Sequence, residues 1–146
     1  MSPSIVIVPG SFTLPSFYDE LVQPLAAKGY DVHVVPLVSA IGKGFDSPAH
    51  LPTMYEDAAA VAKVVEGLAD QGKEVVILSH SYGGRPASES VKGLSKKARE
   101  EQGKKGGVVR LAYMTAGVPE VGSASNEVPK ADGEEDETLQ PALDVS

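Results

Sequence analysis

Short apolar runs alternate with longer stretches of helical periodicity between residues 5 and 114, the pattern of a chain built from strand–helix–strand units. Four β-branched runs, Ile5–Val8, Asp31–Val35, Glu74–Leu78 and Val108–Met114, have the length and composition of buried strands. A first helix is predicted from Ser16, with Asp19 as its capping partner, Phe17, Leu21 and Leu25 at i, i+4 spacing, and Gly29 as its stop. Pro24 should kink or shorten it. A second is predicted from Thr53, where Glu56 completes a capping box, with Val61, Val64, Val65 and Leu68 on one stripe and Gly72 at its end. A third follows Gly83 and Gly84, placing Ala87, Val91, Leu94 and Ala98 on one face and Lys96, Lys97, Arg99, Glu100 and Glu101 mostly on the other.

Such units require parallel strands, right-handed crossovers and helices on the sheet faces. The expected fold class is therefore α/β, a three-layer αβα arrangement around a mainly parallel sheet. Beyond Ala116 the periodicity gives out into small residues and the acidic run Asp132–Glu137, so residues 1–119 are expected to form the folded body and 120–146 a disordered acidic tail.

Charge sharpens that division. The net charge of −7 is carried by residues 120–146, with eight acids and one lysine, while the first 119 residues hold twelve of each sign. Neither part offers the basic surface that a nucleic-acid backbone demands. No stretch approaches a membrane span, and the first ten residues lack the basic start and apolar core of a signal peptide. Cysteine is absent, which removes disulfides, thiolate metal sites and cysteine nucleophiles and favours a reducing, cytoplasmic compartment.

In parallel sheets chemistry collects at the carboxyl ends of strands, here residues 8–12 (VPGSF), 78–84 (LSHSYGG) and 113–116 (YMTA). The second is the most informative. A serine that stands proud of a sheet sits on a tight strand-to-helix turn, flanked two residues away on each side by small residues. Ser79, Ser81 and Gly83 meet that demand, with Ser79 replacing the first glycine of G-x-S-x-G. The Tyr82 N–H, opening the third helix, is placed to stabilise an oxyanion. A second donor can come from Ser11, with Phe12 as the alternative, because Gly10 lets the backbone turn sharply. A fortuitous small-residue turn in another doubly wound protein is the competing explanation for Ser81.

A serine also needs a base. Of three histidines, His80 is held in the turn beside Ser81, His33 lies within the second strand as a packing residue, and His50 occupies a loop on the correct edge. His50 is the one to test as a base, although no residue is recognisable as completing a triad. Glu120, after the fourth strand, reads as a solvated glutamate and not as the acid. Gly42 to Gly44 lacks phosphate-loop spacing and reads as plain loop, and without a G-x-G-x-x-G a nicotinamide or flavin enzyme has little to stand on; no metal site is assigned.

The segments IVIVPGSF (5–12), GYDV (29–32), VVILSHSYGG (75–84) and GGVVRLAY (106–113) resemble the single-domain α/β-hydrolases of the esterase and hydroxynitrile-lyase type, especially their fungal members, over residues 4–119. The resemblance implies a partial, N-terminal-half α/β-hydrolase fold. It also implies Ser81 as nucleophile, an oxyanion hole from the N–H groups of Tyr82 and Ser11, and hydrolysis of a small-molecule ester, thioester or lactone through an acyl-enzyme, without a cofactor. A place in fungal secondary metabolism follows by family habit. Members continue into a helical cap and the loops bearing acid and histidine, whereas this chain stops where the cap would begin, as a natural short form or an incomplete gene product. By the same resemblance the first strand lies between the second and third, leaving 108–114 as an edge, apolar on both faces, open to a homodimer or a partner. The alternative function is therefore a truncated, non-catalytic homologue that acts by binding.

Overall fold

The computed structural model describes residues 2–40, 52–120 and 122. The strands are β1 (Ser4–Val8), β2 (Val32–Val34), β3 (Glu74–His80) and β4 (Gly107–Met114); the helices are α1 (Asp19–Ala27), α2 (Met54–Asp70), α3 (Gly84–Ser90) and α4 (Lys96–Glu101). All three pairings are parallel and the sheet order is β2-β1-β3-β4, so the chain has the expected α/β fold with β1 inside and β4 at an edge.

Alternation along β1 and β3 divides the core. Val6, Val8, Val75 and Ile77 pack with the α2 residues Val61, Val65 and Leu68, with Val35, Leu37 and Ala87, and with Val108 at the start of β4. Ile7, on the other face of β1, is also fully buried. Each of the buried Val, Leu and Ile side chains contributes about 1.5–3 kcal/mol through burial. The α2 signals act as expected. Thr53 Oγ1 accepts from the Glu56 N–H, Glu56 Oε2 accepts from the Thr53 N–H at 2.8 Å, and Gly72 leaves the helix at φ +80°.

The first and third helices differ from expectation. Residues Pro15–Tyr18 form a 3-10 turn before α1, and neither turn nor helix has a side-chain cap, so Ser16 and Asp19 meet only through the backbone, the Asp19 N–H donating to the Ser16 carbonyl. Phe17 is exposed and Tyr18 buried, a one-residue offset from the predicted stripe. Pro24 lies inside α1, which is only nine residues long. The predicted third helix is two helices. Gly93 takes φ +74°, the Leu94 N–H bonds back to Val91, and Ser95 Oγ starts α4 by accepting from the Ala98 N–H. The break lets the Leu94 carbonyl accept from the Val108 N–H at 2.9 Å, which favours a turn over continued helix. Arg99, expected on the solvent face, is buried, where its guanidinium meets Asp70 at 2.7 Å and the Lys105 carbonyl.

That Leu94 contact covers Val108, near the start of the β4 edge. Of the rest, Val109, Arg110 and Met114 are exposed and Leu111, Ala112 and Tyr113 half-buried, so a charged residue interrupts the apolar run. Of the predicted tail, residue 121 and residues 123–146 lie outside the described residues.

Asp31, just before β2, gathers Lys73 Nζ at 2.9 Å, Ser4 Oγ at 2.7 Å and His33 Nε2 at 2.8 Å. Hydrogen bonding from Lys73 and then Ser4 lowers its pKa from 3.8 to about 2. A depressed carboxylate stabilises the fold above its unfolded pKa and loses that contribution as pH falls through the folded value. Denaturant titrations should therefore show stability declining between pH 3.8 and about 2. Asp31→Asn should flatten that limb by less than about 1 kcal/mol, because the cluster is solvent-screened.

Candidate active site

Register brings the strand exits together. Val8 pairs with Ser79 and His80 with Met114, so β1, β3 and β4 end at neighbouring levels. Just beyond those ends lie Phe12 (φ 54°), Ser81 (φ 51°) and Thr115 (φ 43°), the only non-glycine residues with positive φ among those described. Each costs on the order of 1–3 kcal/mol, and such outliers cluster at functional sites.

At the centre of the three, His80 ends β3 in extended conformation, Ser81 turns left-handed, and the 3-10 turn Ser81–Gly83 runs into α3. Ser81 is exposed while Gly83 and Gly84 are buried. A β-carbon on Gly83 would stand 2.5 Å from the Pro9 carbonyl oxygen and closer still to that of Val8. The tight turn therefore depends on glycine at this position. Ser79, at the first glycine position of the motif, is fully buried, and its Oγ donates to the Ala112 carbonyl at 3.1 Å. The replacement thus keeps the position small and ties β3 to β4.

The β1 exit lies against this turn. A β-carbon on Gly10 would come within 3.5 Å of Ser81 Cβ and 3.4 Å of His80 Nδ1. Thr13 closes the loop, its N–H bonding to the Gly10 carbonyl and its Oγ1 to that of Ser11. Among the described residues no hydrogen bond engages the N–H of Ser11 or of Phe12. Phe12, Thr13, Leu14, Ser16 and Phe17 line an open groove of about 420 Å³ on the same loop, with Ser81 outside its lining.

Among the described residues neither histidine is hydrogen-bonded to Ser81. His33 Nε2 is paired with Asp31, and His80 Nδ1 lies 2.7 Å from Tyr18 Oη. Glu120 is exposed. His50 and Gly42 to Gly44 lie outside the described residues. Among the described residues no cluster of three or more His, Asp or Glu side chains forms a metal-binding arrangement, and no helix is long and apolar enough to cross a membrane.

Two residues absent from the sequence-based candidates support the site. Asp57 is fully buried and accepts from the Ser39 N–H at 3.0 Å, Ser39 Oγ at 2.7 Å and Tyr82 Oη at 2.8 Å. Burial first, then hydrogen bonding to Asp57 and the Asp57 charge, raise the Tyr82 phenol well above its ordinary value, so it remains a proton donor. Asp57 sits four residues before Val61 on the α2 stripe, and a carboxylate on an otherwise apolar stripe was the available signal. Tyr18, 5% exposed, accepts from the Gly10 N–H at 3.0 Å as well as meeting His80. No sequence pattern distinguished it from Phe17.

A family model described as the alpha/beta hydrolase family matches residues 5–143. The chain belongs to the alpha/beta hydrolase family. A protein of Phoma sp. named "Probable hydrolase R7" is 33% identical over 125 residues, covering 86% of this chain and 47% of that protein. The alpha/beta hydrolase nvfD of Aspergillus novofumigatus is 36% identical over 124 residues, covering 85% and 47%. This family member thus spans about half the length of the curated relatives it matches. Among solved structures, an extracellular alpha/beta-hydrolase from a Paenibacillus species shares the fold at TM-score 0.57 and 18% identity, covering 82% of this chain and 43% of that one. A pyrethroid hydrolase from Sphingobium faniae aligns at TM-score 0.52 and 25% identity, covering 78% and 40%.

Proposed function

We propose that this family member is a serine hydrolase-type protein acting on a small-molecule ester, thioester or lactone through an acyl-enzyme on Ser81. The observation that carries the proposal is the left-handed φ of Ser81, an exposed serine strained at the centre of three converging strand exits. In the proposed reaction Ser81 Oγ attacks the acyl carbonyl and its proton passes to a base. The N–H groups of Tyr82 and Ser11 hold the oxyanion, the alcohol or thiol leaves with a proton, and water releases the acid. His50 is the histidine to test as base. The fungal relatives support a role in fungal small-molecule metabolism, and the lack of cysteine supports a cytoplasmic setting.

A second role, binding without turnover, is favoured by the open β4 edge, where Val109 is 42% exposed. Labelling with a fluorophosphonate probe separates the two. Hydrolase action predicts labelling that Ser81→Ala abolishes and that His50→Ala slows about 10²- to 10⁴-fold if His50 is the base. A folded chain that stays unlabelled overturns the hydrolase proposal, and concentration-dependent association in the centrifuge would then favour binding.

A further inference from the structure

We infer that Tyr18 is a positioning residue whose hydroxyl couples the Ser11 turn to the Ser81 turn through one proton-ordered bridge. Tyr18 Oη meets the Gly10 N–H at 3.0 Å and His80 Nδ1 at 2.7 Å. Each partner immediately precedes one of the residues proposed above, Gly10 before Ser11 and His80 before Ser81. The bridge therefore links the two turns from which the proposed oxyanion donors would come.

The direction of the first bond follows from valence: an amide N–H only donates, so the phenol oxygen accepts from Gly10. On this inference the phenol's one proton goes to His80 Nδ1, and the tautomer of His80 is what the nitrogen-15 test reads. Neutral His80 therefore carries its ring proton on Nε2, the tautomer being set by the bond the other nitrogen makes. The hydroxyl is isolated from competing water, since Tyr18 is 5% exposed and its ring packs edge-on against His80 at 5.9 Å and against Phe17 at 5.6 Å. Besides positioning, this arrangement occupies the His80 nitrogen that would otherwise be available as a base beside Ser81.

The catalytic meaning of the bridge rests on the Ser81 proposal, so its test has two readouts. Tyr18→Phe keeps the ring and deletes only the hydroxyl. Nitrogen-15 NMR of the ring should show a single Nε2–H tautomer of His80 in the wild type. In Tyr18→Phe it should show a shift toward a tautomer mixture, together with a displaced Gly10 amide resonance. The fluorophosphonate rate of the folded fraction should fall about 10- to 100-fold, the cost of misplacing a reacting group by about 1 Å. His80→Asn, whose side-chain oxygen can replace Nδ1 as acceptor, should recover most of the labelling lost in His80→Ala.

An unchanged His80 tautomer in Tyr18→Phe overturns the bridge. A wild-type labelling rate in folded Tyr18→Phe overturns its positioning role. If the wild type itself is unlabelled, the Ser81 proposal fails, and the tautomer readout still decides whether the two turns are coupled. Should Tyr18→Phe fail to fold, the two His80 variants carry the decision: equal labelling in His80→Ala and His80→Asn overturns the inference.

Discussion

Gly83→Ala should lower the unfolding free energy by about 3 kcal/mol or more, and with it the thermal midpoint by more than about 10 °C. The added methyl would meet the backbone carbonyl oxygens of Val8, the last residue of the inner strand β1, and of Pro9 just after it, which cannot swing aside as a side chain could. Relief requires β1 to move away from the turn after β3, which opens the space between Ser11 and Ser81. Any fluorophosphonate labelling should fall together with stability. Gly67→Ala provides the contrast. Gly67 lies within α2 and a β-carbon there meets nothing within 4 Å, so alanine should stabilise the protein by about 0.5–1 kcal/mol. Thermal melts of both variants check the pair, and equal effects would refute the steric account.

Asp57→Ala is the second large effect, a loss of about 3–5 kcal/mol measured by urea denaturation. Three donors, the Ser39 N–H, Ser39 Oγ–H and Tyr82 Oη–H, would lose their acceptor in a region where Asp57 is fully buried. Each unsatisfied buried donor costs about 1–3 kcal/mol, reduced where water or rotation supplies a substitute. Asp57→Asn keeps the shape and one carbonyl acceptor and should cost only about 1 kcal/mol. It also removes the charge that helps raise the Tyr82 phenol, so tyrosinate absorbance should show that group titrating at lower pH than in the wild type. The sign for stability follows. A phenol raised in the folded state contributes fully below the ordinary 10.0 and loses that contribution as pH rises beyond it toward the folded value, and the loss should be smaller in Asp57→Asn.

Asp57 also shows why part of the site was hidden. Its place on the α2 stripe could be read from spacing, but the partners that explain it come from residues 39 and 82, distant in the chain. Tyr18 was harder still. Helical spacing favoured Phe17, and only the Gly10 and His80 contacts explain why the polar ring is the buried one. The third helix failed for the reverse reason: its apolar spacing was sound, yet the Leu94 carbonyl is drawn out to Val108 on β4 and the helix breaks at Gly93.

What the residues determined alone were features set by neighbours a few positions apart. The capping box at Thr53 and Glu56, the stripe of α2, the places of the four strands though not their ends, and the small-residue turn around Ser81 all depend on local sterics and periodicity. The strand order was read from resemblance, and spacing by itself did not supply it. Tertiary structure decided the rest: how closely the turns after β1 and β3 approach, that Gly83 is the point of contact, and which polar side chains tie those turns in place. Those outcomes depend on contacts between segments dozens of residues apart, where distance along the chain carries no geometric information and only the packed core brings the groups within bonding range.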